Sequence, residues 1–399
     1  MELKGRGQNR KKRSGWWLVG ILLVLLALVG GGAYVSRMHS QGNAEKPAET
    51  SKDIAQSAEL TLDQKVDKIV AGMTPAEKIG QMMMIGIKGK DVNDDSLYML
   101  HEYGMGGVIL FDRNMDSKEQ VAKLNSHLQQ QAGQKVPLFI AIDEEGGDVV
   151  RMANDLTPPP AAKSLGAAGK PEAAREWAVR TSKELKAIGF NIDFAPVADV
   201  GSPDTRSYST DPQVVTDFVR NAAEGFEQEG ILYSLKHFPG LGRGRVDTHM
   251  DADRVQAGQQ QLASVDFVPF QTMIQERNPE NYFVMVSHLT YDALDSSSPA
   301  SLSPKIITGI LREQMGFKGL IITDDTEMGA LSKHYDFSEI GVRAVQAGVD
   351  IVMVCHEYEH ETAVYNGLLK ALQSGELSTE RVDASVKRIV RAKLLHLMK

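Results

Sequence analysis

The sequence predicts an α/β fold in which a (β/α)8 barrel of the TIM type forms a single domain. Eight short apolar runs alternate with amphipathic helical patterns between residues 61 and 399. This alternation is typical of parallel strands that helices cover on both faces. Polar residues follow these runs at the same end, and a barrel gathers such ends on one face. A doubly wound open sheet has the same alternation and remains the alternative.

The apolar runs predict the strands, and the stretches between them predict the helices. The runs span residues 79–87, 107–111, 137–142, 190–194, 231–235, 282–286, 320–323 and 349–354. Amphipathic stretches span residues 118–131, 172–188, 214–228, 259–276 and 340–347. The Gly-x-Gly pairs do not open a helix after the first strand, so a dinucleotide-binding motif is not supported.

Three segments precede the predicted barrel domain. Residues 1–15 hold six basic residues and one acidic residue, a net charge of 6 − 1 = +5, and residues 16–36 hold no charge. As a helix, residues 16–36 would span about 32 Å, enough for a hydrocarbon core of about 30 Å. We therefore predict a basic cytoplasmic tail (1–15), a single-pass anchor in the cytoplasmic membrane (16–36), a polar linker (37–60) and an extracytoplasmic barrel domain (61–399). A cleaved signal peptide is the alternative for residues 16–36.

Charge and cysteine content exclude some classes of protein. The whole chain carries a net charge of −8, so the residues after the basic tail carry −8 − 5 = −13. A nucleic-acid-binding domain needs a basic face, and we therefore expect no nucleic-acid partner. Cys355 is the only cysteine, which rules out an intrachain disulfide and is more typical of a small core residue than of a nucleophile.

Ionisable residues stand at or just beyond the ends of six of the predicted strands. They are Asp143 after the third, Asp193 and Asp199 around the end of the fourth, Lys236 and His237 after the fifth, His288 after the sixth, Asp324 and Asp325 after the seventh, and His356 after the eighth. In a barrel these ends converge where active sites are built, so the pattern indicates an enzyme. We expect His288 and His356 to be structural.

Carboxylates at two of these ends have both a chemical and a structural interpretation. Asp143 could accept hydrogen bonds from sugar hydroxyls with Arg151 nearby, or the two could form an acidic turn with its partner arginine. We expect Glu144 and Glu145 to be structural or solvent-exposed. Asp324 could be a nucleophile, a base, a metal ligand or a helix cap, and its place directly after the strand favours it over Asp325 as the reactive residue.

Asp247 and His249 lie in a glycine-containing loop after the fifth strand and are candidates for an acid/base dyad. A solvated polar loop is the alternative. Asp251 and Asp253 make a metal site a competing hypothesis. The first strand lacks the His-x-His pair usual in metal-dependent barrel hydrolases, so we predict no metal and no cofactor.

Several motifs, in order along residues 60 to 399, resemble glycoside hydrolase family 3 and are most similar to its β-N-acetylglucosaminidase branch. They are KHFPG at 236–240, DTH at 247–249, LREQMGF at 311–317 and TDD at 323–325, together with DEEGG at 143–147, NIDFAPVAD at 191–199 and PASLS at 299–303. Two residues depart from the branch. Leu241 stands where histidine is common, and Asp148 stands where a basic residue is frequent.

This resemblance implies a retaining hydrolase of terminal β-linked N-acetylglucosamine that acts on cell-wall muropeptides. It implies Asp324 as the nucleophile and His249 as the acid/base, with Asp247 as its partner. The residues implied to hold the sugar are Asp143, Arg151, Arg206, Lys236 and His237. A β-glucosidase-like enzyme, a phosphorolytic enzyme and an inactive glycan-binding barrel are the alternatives.

Overall fold

The computed structural model describes residues 60–152, 154–244 and 250–398. The predicted tail, the predicted anchor and the linker up to residue 59 lie outside the described residues. Within the described part of the chain, no helix is both long enough and apolar enough to cross a membrane. Leu60–Lys399 cluster as one unit by their internal contacts.

Eight parallel strands close into a barrel whose order around the ring is the order along the chain. They are β1 Met83–Gly86, β2 Gly107–Ile109, β3 Phe139–Ile142, β4 Ile192–Asp193, β5 Leu232–Phe238, β6 Tyr282–Val286, β7 Leu320–Asp325 and β8 Ile351–Val354. The last strand pairs with the first, with Met83 opposite Val352. The predicted barrel is therefore confirmed, and the open-sheet alternative is wrong because its edge strands would not pair.

Most strand residues are apolar because both faces of the strands are buried. Every residue of β1, β3, β6 and β8 is buried, so no alternation of polar and apolar side chains develops. Inside the barrel, the ring of Phe283 lies edge-on to Phe139 and Phe194, with centroids 5.6 and 6.3 Å apart. These aromatic side chains reach across from non-adjacent strands and fill the barrel interior.

Helices connect the strands and cover the barrel. Those with at least four residues are α1 Leu62–Ala71, α2 Pro75–Gln81, α3 Asp94–Glu102, α4 Lys118–Gln131, α5 Ala162–Ala168, α6 Pro171–Ala187, α7 Pro212–Glu229, α8 Val268–Glu276, α9 Gly329–Ser332, α10 Phe337–Ala347, α11 Tyr358–Ser374 and α12 Thr379–His396. A π-helical segment spans Lys305–Gln314. The helices predicted at 118–131, 172–188, 214–228 and 340–347 are confirmed as α4, α6, α7 and α10.

Two predicted elements differ from the structure for identifiable local reasons. The first apolar run was expected to be strand from residue 79, but α2 extends to Gln81 because Thr74 and Glu77 form a capping box that starts a helix. The stretch 259–276 is not one helix, since a π-helical turn at Leu262–Asp266 precedes α8. Pro269 in the first turn of α8 has no backbone N–H for the regular helical ladder.

Helix α12 lies across the amino ends of the strands and covers the closed end of the barrel. The Lys393 Nζ donates to the carbonyl oxygen of Gly106, just before β2, at 2.7 Å. Arg388 donates to the Asp350 carboxylate, just before β8, at 3.0 Å. Helix α1 packs against α12, with Lys387 2.7 Å from Asp67. The opposite end, where the strands finish, is left open for a site.

Glu361 in α11 is expected to make stability fall as pH rises. Its carboxyl is fully buried, and neither oxygen has a hydrogen-bond partner among the described residues. Burial, with the nearby charge of Glu327, raises its pKa to about 9, against 4.5 for a free side chain. Between these values the folded state keeps a proton that the unfolded state has lost, so the free energy of unfolding decreases as pH rises.

We expect Glu361→Gln to raise the free energy of unfolding at pH 8 by on the order of 2 kcal/mol. At pH 4.5 the gain should largely disappear. Urea unfolding at both pH values measures the difference, with Glu357→Gln as a solvent-exposed control that should change little. If Glu361→Gln changed the free energy of unfolding equally at the two pH values, Glu361 would not be the group that keeps a proton in the folded state.

Candidate active site

A cavity of about 200 Å³ opens at the carboxyl ends of the strands. Six predicted site residues line it: Asp143, Arg151, Arg206, Lys236, His237 and Asp324. Phe111, Glu145, Leu241, Asp325, Met328 and His356 also line the cavity. Asp247 and His249 fall within residues 245–249, which lie outside the described residues. The cavity therefore brings together side chains that are far apart in the sequence.

Lys236 forms the most buried ion pairs of the cavity wall. It is 2% exposed, and its Nζ lies 2.7 Å from Asp143 Oδ1 and 2.6 Å from Glu145 Oε1. Burial alone would lower the pKa of Lys236, but Asp143 and Glu145 hold it above its usual value. Lys236 is therefore a charged donor held in a fixed position at the end of β5.

Glu145 joins Lys236 to Arg206. Arg206 donates from Nε and Nη2 to the two oxygens of Glu145, both at 2.8 Å, which is a bidentate pair. Burial alone would raise the pKa of the Glu145 carboxyl, but Lys236 and Arg206 hold it well below its usual range. The side chain is only 5% exposed, so of the two roles expected for Glu145, structural or solvent-exposed, the solvent-exposed one is wrong. Its partners are 61 and 91 residues away, and local sequence gave no signal for them.

The turn after β3 positions Arg151 beside Asp143. Arg151 Nη1 donates to Asp112 at 3.0 Å, and its Nη2 lies 3.9 Å from Asp143 Oδ2. The same turn needs glycine at position 146, where φ is +93° and an added Cβ would lie 2.6 Å from the carbonyl oxygen of Pro159. Glu144 has a structural role there, because its carboxylate accepts the backbone N–H of Arg151 at 2.7 Å.

His237 follows Lys236 through a cis peptide bond and is held by Asp199. The two side chains meet at 2.7 Å between His237 Nδ1 and Asp199 Oδ2. The other ring nitrogen, Nε2, lies 3.3 Å from Arg206 Nη2 and 4.0 Å from Asp324 Oδ2. Asp199 stood out in the sequence only as a residue beyond a strand end, because its partners belong to the next strand.

Asp324 stands near the end of β7 with its side chain 20% exposed at the cavity wall. Its Oδ1 accepts the backbone N–H of Asp325 at 2.8 Å. Burial would raise the pKa of this carboxyl, but His237, His288 and that N–H hold it below its usual value. The nearest helix, α9, begins only at Gly329, so Asp324 does not cap it. An ionised, partly accessible carboxylate can attack a bound electrophile.

The residues beside Asp324 do not favour a metal ion. Asp325, Glu327 and His356 could bring one ligand atom each to within 4.8 Å of one another. However, Glu327 already accepts the backbone N–H groups of Cys355 and Glu357 at 2.9 and 3.1 Å. The Arg113 guanidinium lies 3.1 Å from His356 Nδ1 and places positive charge there.

The two aspartates of the metal hypothesis lie elsewhere and have other partners. Asp251 pairs with His334 at 2.9 Å, and Asp253 Oδ1 accepts the backbone N–H of Arg254 at 2.7 Å. His288 donates or accepts at both ring nitrogens, with Ser301 at 2.8 Å and the carbonyl of Asp325 at 2.9 Å, which fits the expected structural role. His356, also expected to be structural, lines the cavity.

The sequence matches a known protein family and several characterised proteins. A family model described as "Glycosyl hydrolase family 3 N terminal domain" matches residues 74–392. "Beta-hexosaminidase A" of Pseudoalteromonas piscicida is 32% identical over 74% of this chain, which covers 54% of that protein. "Beta-hexosaminidase" of Xanthomonas oryzae pv. oryzae is 34% identical over 77% of this chain and 92% of its own length.

A solved structure of a glycoside hydrolase family 3 β-N-acetylglucosaminidase from a Paenibacillus species is also similar. It superimposes with a TM-score of 0.78 at 38% identity, over 81% of this chain and 62% of that chain. The chain thus spans about half of the Pseudoalteromonas protein and under two thirds of the Paenibacillus one, but nearly the whole Xanthomonas protein.

Proposed function

Because the chain belongs to glycosyl hydrolase family 3, we propose that it is a β-N-acetylhexosaminidase that releases terminal β-linked N-acetylglucosamine with retention of configuration. The observation that carries this proposal is the ionised Asp324 carboxylate at the wall of a cavity lined with charged hydrogen-bonding groups. The names of the similar proteins, β-hexosaminidase and β-N-acetylglucosaminidase, support the substrate class.

In the proposed reaction Asp324 attacks the anomeric carbon and forms a covalent glycosyl-enzyme. His249, oriented by Asp247, gives a proton to the departing glycosidic oxygen in this step. His249 then takes a proton from water, which attacks the same carbon and releases the sugar and the free Asp324 carboxylate. Retaining hydrolysis needs a nucleophile and a group that serves as acid and then base, and a histidine with a pKa of about 6.5 can do both near neutral pH.

The sugar is proposed to bind against the charged cavity wall beside Asp324. Asp143 keeps one oxygen, Oδ2, that is not engaged by Lys236 and can accept from a hydroxyl. Arg151, Arg206, Lys236 and His237 supply donors or acceptors at the same cavity. These groups are already held by ion pairs, so little side-chain entropy is lost on binding. A fixed polar wall of this kind suits hydroxyl recognition.

The natural substrate and location are proposals from the sequence. The uncharged residues 16–36 behind a basic tail support a single-pass anchor in the cytoplasmic membrane, with the barrel outside. At that location, muropeptide fragments of the cell wall that carry N-acetylglucosamine are the proposed substrates.

Hydrolysis of matched chromogenic glycosides tests the substrate class. We expect kcat/KM for 4-nitrophenyl β-N-acetylglucosaminide to exceed that for the β-glucoside by at least about 100-fold, because a site built for the acetamido group leaves buried polar groups unpaired without it. Equal activity on the two substrates would contradict the substrate assignment. Release that depends on added phosphate would favour the phosphorolytic alternative instead.

A further inference from the structure

We propose that Asp199 is a positioning residue that fixes the tautomer of His237. It thereby determines whether the His237 Nε2 atom, beside Asp324 in the cavity wall, accepts or donates a hydrogen bond. This inference rests on the proposed function for its effect on catalysis, but the tautomer itself is a property of the free protein. Asp199 lies outside the set of residues predicted to act on the sugar. Its contacts place it directly behind that set.

Asp199 is buried, and both of its carboxylate oxygens are engaged by the strand–loop segment that carries His237. Oδ1 accepts the backbone N–H groups of His237 and Leu241 at 3.0 and 2.6 Å. Oδ2 lies 2.7 Å from His237 Nδ1. A carboxylate has no proton to give, so Nδ1 must carry the hydrogen and donate it.

Asp199 itself is held in register with His237. The segment before it continues β4 along β5, because the Ala198 N–H donates to the carbonyl of Lys236 at 2.7 Å. The carbonyl of Asp199 accepts the Ser207 hydroxyl at 2.7 Å. The carboxylate therefore meets the imidazole from a backbone that is fixed on both sides.

The opposite ring nitrogen shows why this tautomer matters. With Nδ1 protonated, the neutral form of His237 presents a lone pair at Nε2, which can accept from Arg206 Nη2 at 3.3 Å. The cationic form carries a proton at Nε2 as well, 4.0 Å from Asp324 Oδ2, and it is this form whose charge lowers the pKa of Asp324. In the other tautomer an N–H at Nε2 would face the Arg206 N–H, and the Nδ1 lone pair would face the Asp199 carboxylate. Both contacts would then be repulsive. Asp199 and Arg206 thus select the same form of His237 from its two sides.

The contact with Leu241 also explains how this unusual residue is tolerated. At position 241 the carboxylate of Asp199 uses only the backbone N–H, which every residue except proline supplies. The anchoring of the turn Leu241–Arg243 is therefore independent of the side chain that departs from the family pattern. Asp199 holds the sugar-binding imidazole and the start of the following loop with one group.

Asp199→Asn is the sharpest variant, because asparagine keeps the shape of the side chain. Its Oδ1 can still accept the two backbone N–H groups, while its NH₂ group meets His237 Nδ1 and forces that atom to accept. The proton must then move to Nε2, opposite Arg206. We expect kcat/KM to fall by about 100-fold or more, mainly in kcat, with an altered pH profile, since a reversed tautomer disables a histidine whose geometry is intact.

A double-mutant cycle separates positioning from a general structural role. In a His237→Ala background, Asp199→Asn should lower kcat/KM by less than about threefold, because the imidazole through which Asp199 acts is gone. Asp350→Asn is the matched control, since Asp350 is also a buried aspartate with engaged oxygens but lies at the closed end of the barrel. It should lower the melting temperature and leave kcat and the pH profile unchanged.

Histidine ¹⁵N NMR of the full chain in detergent reports the tautomer of His237 in the wild-type protein. We expect an Nδ1–H resonance for His237, assigned by its loss in His237→Ala. An Nε2–H tautomer of neutral His237 in the wild type would overturn the proposal. So would a loss of kcat/KM on Asp199→Asn that is as large in the His237→Ala background as in the wild type. If the wild-type protein released no N-acetylglucosamine, the proposed function would be wrong. The NMR spectrum would still show which ring nitrogen of His237 carries the proton.

Discussion

Replacing Asp324 with asparagine is expected to lower kcat by at least about 10⁴-fold, because it removes the group that forms the covalent intermediate. The amide keeps the size of the side chain and can still accept the backbone N–H of Asp325, so the fold should be retained. Hydrolysis of 4-nitrophenyl β-N-acetylglucosaminide, with circular dichroism and thermal melting of the same sample, measures both quantities.

Asp325→Asn is the matched control for this variant. Asp325 is the neighbouring aspartate, lines the same cavity and pairs with His356 at 3.1 Å. Since it supplies no nucleophile in the proposed reaction, we expect a loss in kcat that is at least about 100-fold smaller than that of Asp324→Asn. Similar losses in the two variants would mean that the charge of the cluster, and not attack by Asp324, governs the rate.

The second large effect is expected for Lys236→Met. This change removes the cation that Asp143 and Glu145 share at 2.7 and 2.6 Å. Glu145 keeps Arg206, but Asp143 is left with Arg151 Nη2 at 3.9 Å as its nearest cation. Removing one partner of a buried ion pair lowers the free energy of unfolding by about 3–5 kcal/mol. Urea unfolding should show that loss of stability, and remaining activity should have a raised KM.

Lys393→Met provides a control with a buried lysine in a different environment. Lys393 donates to two neutral oxygens, Gln81 Oε1 and the carbonyl of Gly106, each at 2.7 Å, and burial holds its pKa well below the usual value. In the folded state it loses its proton at a lower pH than in the unfolded state, so stability rises with pH in that interval.

Lys393→Met should therefore remove this pH dependence, cost less stability than Lys236→Met and leave activity unchanged. The comparison at one pH distinguishes loss of an ion pair from loss of packing. Equal destabilisation by the two variants would show that the carboxylates contribute little to the effect at Lys236.

The barrel was predictable because its strands are buried on both faces. That burial makes each strand a short apolar run, and the runs recur with helical stretches between them. The start of the first strand was not predictable by the same signal, since Ile79 is apolar in a helix as it would be in a strand. The capping pair of Thr74 and Glu77 marks this helix, and it outweighs the apolar pattern.

The site was predictable to the extent that strand ends locate it. Asp143, Lys236 and Asp324 directly follow the predicted apolar runs, and the closed barrel brings them to one cavity. Pairing within the cavity was not predictable, because it depends on side chains that meet only after the barrel closes. Glu145 illustrates this: beside Glu144 in the same turn, it alone reaches Lys236 and Arg206.

Trapping of the intermediate tests the proposed role of Asp324 most directly. A fluorinated N-acetylglucosaminyl donor that forms the glycosyl-enzyme faster than water releases it would be added, and the intact mass and peptide masses measured. We predict one added sugar per chain on the peptide that contains Asp324, and none in Asp324→Asn. Turnover of N-acetylglucosaminides without an adduct, or an adduct on another residue, would contradict Asp324 as the nucleophile.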